Sequence, residues 1–167
     1  MIAAVVLAAG AATRYGRPKQ VELLPFVLER LSQVELDQLV VVEGAYELDL
    51  DETVVHADDW EAGPGASLRA GLASLSPDVT HALVILADGP TLDPRAVARV
   101  LEHRDDAPVL AATYDGVTRG HPVVIARGSW ETIPDEGARR LEPVLVDCSD
   151  LDEPGDVDVP ADLQRGA

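Results

Sequence analysis

Five runs of this chain are apolar at nearly every position instead of every second one: residues 2–6 (IAAVV), 39–42 (LVVV), 82–87 (ALVILA), 109–113 (VLAAT) and 123–126 (VVIA). A strand packed on one face alternates in polarity, whereas a strand covered on both faces does not. The sheet these runs form therefore needs a layer above and a layer below. The intervening segments supply both. Residues 21–34 (VELLPFVLERLSQV) carry apolar side chains at near-helical spacing, with Pro25 expected near the first turn. Asp93 and Pro94 read as the N-cap and first residue of a helix whose apolar face is Val97, Val100 and Leu101. Residues 60–72 read as a glycine-rich loop entering a third helix, and residues 53–56 and 143–147 as shorter strands. Residues 130–133 and 137–141 read as helical turns, and 150–163 as an acidic tail segment. Strands alternating with helices across short loops predict right-handed βαβ units. The expected fold is α/β: one three-layer, Rossmann-like domain over residues 1–167 with a mostly parallel sheet. Six aromatic residues in 167 leave Val, Leu, Ile and Ala to build its core, as such a sheet requires.

The first of these strands runs directly into Leu7-Ala8-Ala9-Gly10, followed by Arg14, Gly16 and Lys19. Small residues after a buried strand let backbone N–H groups approach phosphate oxygens, and two cations close behind supply charge. The alternative is a plain strand–loop junction whose glycines only make the turn. Neither G-x-x-x-x-G-K-[ST] nor G-x-G-x-x-G is present. Lys19 is the only lysine among thirteen Lys and Arg. A chain that uses Arg elsewhere and Lys here has a task suited to a compact ammonium, such as reaching one phosphate in a tight loop.

A formal net charge of −17 argues against a nucleic-acid backbone as partner, because that interaction depends on a basic face. Anionic substrates must be drawn in by a local group of cations against the overall field. No apolar run approaches the ~18 residues of a membrane span, and no basic segment precedes an apolar one in the manner of a signal peptide. The lone Cys148 excludes an internal disulfide and reads as an inert thiol near a strand end. The expected compartment is the cytoplasm.

Ligands of such sheets bind outside the carboxyl ends of the strands. Asp88 stands there, after the most apolar run and before Gly89-Pro90. It reads either as a turn residue or as a Mg²⁺ ligand, since Mg²⁺ takes one or two carboxylates and fills its other positions with phosphates and water. A second carboxylate is available from Asp156 or Asp158, which alternate with Val as in an edge strand, or which belong to a solvated acidic tail.

Five stretches, in order, resemble the nucleotidyltransferases of molybdenum cofactor maturation, and more closely the cytidylyltransferase branch. They are Leu7-Ala8-Ala9-Gly10 with Arg14, Gly16 and Lys19-Gln20; Trp60 to Gly63 with the run SLRAGL from Ser67 to Leu72; Asp88 with Pro90; Gly120-His121-Pro122; and the segment from Asp156 to Leu163. The resemblance implies transfer of a nucleotidyl group from an NTP to the phosphate of a molybdopterin, with release of pyrophosphate. Carried over by position, Leu7, Ala8, Ala9, Gly10, Arg14 and Lys19 hold the nucleotide, and Arg14, Lys19 and Asp88 are catalytic. Ser67 and Arg69 lie near the nucleotide, and His121 and Arg139 near the acceptor. Asp88 with Asp156 or Asp158 holds Mg²⁺. Ala9, where guanylyl-transferring relatives carry Gly, implies CTP over GTP, its methyl taking space beside the base that a purine needs. A molybdoenzyme receiving the product is the implied partner.

Three departures from the family pattern stand out: a shortened stretch after Lys19-Gln20, Ala87-Asp88-Gly89-Pro90 in place of Gly-Asp-Gln-Pro, and Val159 and Ala161 in place of Thr and Glu. Two competing functions are a flavin-dependent oxidoreductase on the same scaffold and a non-catalytic carrier of the finished cofactor.

Overall fold

A computed structural model describes residues 1–11 and 19–155. Its strands are β1 (Ile2–Leu7), β2 (Gln38–Glu43), β3 (Thr53–His56), β4 (His81–Leu86), β5 (Val109–Thr113), β6 (Val123–Ala126) and β7 (Val144–Asp147). Its helices are α1 (Lys19–Leu31), α2 (Pro64–Ala73) and α3 (Pro94–Glu102). Short 3₁₀ turns span Trp60–Ala62, Arg127–Thr132 and Ala138–Arg140.

The strands form one sheet in the order β3-β2-β1-β4-β6-β5-β7. Every neighbouring pair is parallel except the two that β6 makes, with β4 and with β5. The expected α/β fold with a mostly parallel sheet is the fold observed. β1 lies inside it between β2 and β4, and Ala3, Ala4, Val5 and Val6 are all fully buried, as a strand apolar at every position requires.

Alternate residues of β1 feed two separate cores. Ala4 and Val6 pack with Leu24, Val27 and Leu31 of α1 and Val97, Val100 and Leu101 of α3. Ala3 and Val5 pack with Leu68 and Leu72 of α2 and with Trp130. The connection from β1 to β2 thus covers one face and the connection from β3 to β4 covers the other. The Asp93 side chain accepts the Arg95 N–H and caps α3, with Pro94 opening the helix as expected.

Pro25 departs from expectation. α1 begins at Lys19, not Val21, so the proline is the seventh helical residue and lies past the first turn. It is exposed, so the backbone carbonyl its ring disfavours lies on the outer side of the helix, where water can reach it. No helix among the described residues is long and apolar enough to cross a membrane.

Candidate active site

From β1 the chain moves outward through β2 to β3 and then returns across the sheet to β4, on the other side of β1. The chain's progress across the sheet reverses at β1, which β2 and β4 flank, and a crevice lies at the carboxyl ends of β1 and β4. Lys19 enters this crevice as the first residue of α1, and Asp88 enters it two residues beyond β4. Lys19 Nζ donates to Asp88 Oδ2 at 3.0 Å, and the two side chains are only 13% and 27% exposed. Residues 69 positions apart are therefore brought into a partly desolvated ion pair at the switch point of the sheet.

The small-residue stretch after β1 is a continuation of the sheet before it becomes a loop. The carbonyl of Leu7 accepts from Ala87 N–H at 3.1 Å, Ala8 N–H donates to Val42 at 2.9 Å, and the carbonyl of Ala9 accepts from Ala45 N–H at 3.1 Å. Ala8 and Ala9 are buried, while Gly10 reaches the surface. Arg14, the other cation of this stretch, lies outside the described residues, as do Asp156 and Asp158.

The Ala9 methyl has close neighbours within the protein. A Cβ built on Gly44 would stand 2.9 Å from the Ala9 methyl and 2.6 Å from the Trp60 ring, so these three residues meet at close packing. Ala9 is 6% exposed. Its methyl packs against Gly44 and the indole. Trp60 is accordingly a packing residue, set against the α2-side core.

The SLRAGL segment lies within α2, the expected helix, and its arginine is held by the 133–135 segment. Arg69 donates to the Ile133 carbonyl at 2.7 Å and to Asp135 Oδ1 at 2.6 Å. Gly65 N–H donates to the Asp135 carbonyl at 2.8 Å, and a Cβ at Gly65 would fall 1.8 Å from the Pro134 carbonyl oxygen. The first turn of α2 is thus occupied by the backbone of residues 133–135, and only glycine permits that approach. Ser67 is buried within the same helix. Neither Ser67 nor Arg69 lines the hollow beside Asp88, and Arg139 is exposed in the Ala138–Arg140 turn.

His121 does line that hollow. Because β6 runs antiparallel to β4, with Val123 opposite Val84, the residues preceding β6 emerge at the same end of the sheet as Asp88. A hollow of about 210 Å³ results, lined by Asp88, Arg119, Gly120, His121 and Glu153 among others. The His121–Pro122 peptide is cis. The carbonyl of His121 accepts from Tyr114 Oη–H at 2.7 Å, and Gly120 N–H donates to Ala112 at 2.7 Å, which fixes this corner. His121 is half-buried overall, but its Nδ1 is fully buried with no hydrogen-bond partner. Burial lowers its pKa below the ordinary histidine value, with the Arg119 charge adding to that effect and Asp88 and the Val84 backbone opposing it.

Two residues that the sequence reading passed over complete the surroundings. Arg119 lines the hollow, and its only signal was its place one residue before Gly120-His121. Glu43, at the end of β2, is nearly buried. It accepts Leu48 N–H at 2.6 Å and stands 3.2 Å from His56 Nδ1, which ties the loop after β2 to β3. Cys148 is fully buried just beyond β7, where burial raises its thiol pKa, in keeping with an inert role.

The donor set suits a divalent cation of the Mg²⁺ type only sparingly. No group of three or more His, Cys, Asp or Glu able to hold a metal is present among the described residues. Among the described residues Asp88 and Glu153 line the hollow, which fits an ion that takes one or two carboxylates and completes its shell from phosphates and water. The described chain ends against the Asp88 turn, with Gly155 N–H donating to Thr91 Oγ1 at 2.6 Å.

The seven-stranded, mostly parallel sheet is a nucleotide-diphospho-sugar transferase-like fold. The chain belongs to the family of the MobA-like NTP transferase domain, whose model matches residues 4–148. No curated protein matches the chain. Among solved structures it is similar to a homologue, from Mycobacterium sp. strain JC1, of Mycobacterium tuberculosis Rv0371c. That likeness has 28% identity and a TM-score of 0.83, and covers 98% of this chain and 93% of the other. Rv0371c of Mycobacterium tuberculosis H37Rv, in a complex with manganese, matches with 26% identity and a TM-score of 0.75, over 98% and 96% of the two chains. A nucleotidyl transferase from Methanothermobacter thermautotroptrophicus shares the fold at 21% identity and a TM-score of 0.76, over 99% and 95%.

Proposed function

We propose that this chain transfers a nucleotidyl group, CMP from CTP, to the phosphate of a molybdopterin-type acceptor and releases pyrophosphate. The observation that carries the reading is the Lys19–Asp88 pair at the β1–β4 switch point. A buried-side ammonium and carboxylate that hold each other at 3.0 Å can exchange partners when a triphosphate and a cation arrive together. Lys19 would then face phosphate oxygens, and Asp88 would be the carboxylate able to hold a divalent cation. In the reaction an oxygen of the acceptor phosphate forms a bond to the α-phosphorus. The α–β anhydride bond breaks, and its electron pair leaves on pyrophosphate. The nucleophile is already ionised, so alignment and charge neutralisation matter more than a general base.

Asp88, joined by Asp156 or Asp158, is the proposed holder of Mg²⁺, and Asp156 follows directly on Gly155, which is anchored beside the Asp88 turn. A divalent ion bound there neutralises charge on the phosphates. Arg14 is assigned to the same phosphates. The manganese complex of a similar protein favours a divalent metal in this group of proteins. The single domain and the cytoplasm remain part of this reading.

CTP is preferred on the resemblance of the Ala9 loop to cytidylyl-transferring relatives. Ala9, packed against Gly44 and Trp60, sets where the loop leaves the sheet, and its methyl is the proposed steric element against a purine. The test is pyrophosphate release with each NTP, Mg²⁺ and molybdopterin. CTP is expected to exceed GTP in kcat/KM by roughly 10–200-fold, the range of a single steric discrimination. Turnover without pyrophosphate, or a yellow flavin-bound protein, would overturn the reading.

A further inference from the structure

Among the described residues four arginines are partly buried: Arg69, Arg99, Arg104 and Arg119. The first three each have a carboxylate within ion-pair distance, namely Asp135, Asp150 and Asp105. Arg119 has none among the described residues, although the chain carries 30 Asp and Glu. One of its guanidinium nitrogens, Nη1, donates to the Leu141 carbonyl at 2.6 Å, which fixes the side chain without neutralising it. Burial is costly enough here to lower its pKa, and Glu142 opposes that only at a distance. A desolvated cation that is oriented but unpaired is an unfavourable thing to keep unless an anion arrives to meet it.

The same hollow holds a second unmet group, the fully buried His121 Nδ1. On the opposite side stands Asp88, already engaged with Lys19. The crevice is thus divided. Lys19 and Asp88 occupy its β1–β4 mouth, and Arg119 and His121 occupy the recess at the start of β6.

We infer that Arg119 is the anion anchor of the acceptor subsite, binding the oxygens of a phosphomonoester in the hollow beside His121. A guanidinium held at one nitrogen by a backbone carbonyl still presents further N–H donors in a planar fork suited to phosphate. His121, as a neutral imidazole, offers one more hydrogen bond to the same ligand. This rests on the proposed transferase reading only in naming the ligand as the acceptor. The binding chemistry stands by itself.

Calorimetric titration of the full chain with phenyl phosphate, and separately with CTP and Mg²⁺, tests it. The wild-type protein should bind phenyl phosphate saturably, in a way that prior saturation with CTP does not abolish. Arg119→Gln should weaken that binding by about tenfold or more, while CTP affinity stays within about twofold. Arg119→Lys, which retains the charge, should recover part of the loss, and this separates recognition from a folding defect. Absence of phenyl phosphate binding in the wild type overturns the inference. So does unchanged binding in Arg119→Gln, or a loss confined to CTP. Phenyl phosphate binding that depends on Arg119 in a protein that takes no CTP would leave the anion subsite standing and remove the transferase reading instead.

Discussion

Two regions carry the residues by which this chain resembles its family, and the fold treats them in opposite ways. Around α2, the polar and glycine positions are consumed internally: Gly65 admits the Pro134–Asp135 backbone, and Arg69 clasps Ile133 and Asp135. Around the crevice, Lys19 is paired with Asp88, Arg119 is held by one carbonyl, and His121 Nδ1 has no partner among the described residues. Residues that recur together in a motif can thus serve folding in one place and chemistry in another. What separates them is whether the rest of the protein already meets their hydrogen bonds and charge.

The contrast is broken most directly at Lys19. Lys19→Ala should lower turnover by about 10²–10³-fold, the usual effect of removing one preorganised charge donor, with little change in unfolding. Turnover near the wild-type rate would remove the crevice from the chemistry.

The opposite result is expected at Arg69. Arg69→Gln should lower stability by about 1–2 kcal/mol, a charge-assisted hydrogen bond discounted for partial exposure, and leave KM for the NTP unchanged. Chemical denaturation together with steady-state kinetics reads both. A raised KM for the NTP at unchanged stability would return Arg69 to the nucleotide side.

The smallest effect is a pH slope. His121 has a folded pKa below its ordinary value near 6.5. Between the two values the unfolded chain binds more protons, so stability rises with pH. The contribution is intact above ~6.5 and is lost as pH falls below it. Asp93 and Asp150, held below the usual carboxylate range by hydrogen bonds from Arg95 and Arg99, lose their contributions only further down, as pH falls through about 3.8. His121→Gln should flatten the slope below pH 6.5 without touching the lower window. A slope unchanged in that variant would show that the imidazole is not held neutral by burial.

Most of the framework was legible without the fold. Uninterrupted apolar runs mark strands covered on both faces, because burial on two sides removes the reason for alternation. An Asp-Pro pair before a spaced apolar face marks a helix start, because both residues suit the unpaired N–H groups there. Placing Asp88 at a strand's carboxyl end followed from the same reasoning. Three things did not follow from local pattern. The meeting of Lys19 with Asp88 depends on the chain returning past β1 after two outward strands, a choice of strand order that no residue announces.

The recess of Arg119 and His121 exists because β6 is reversed. A parallel β6 would carry residues 119–121 to the other end of the sheet, yet its VVIA run reads the same in either direction, since apolar burial has no polarity along the strand. The roles of Ala9 and Arg69 were set by what packs against them, Gly44 with Trp60 in one case and the 133–135 backbone in the other. Sequence determined which segments are buried, because that depends on each side chain's own affinity for water. Tertiary structure decided which polar groups are left unmet, because that depends on distant neighbours.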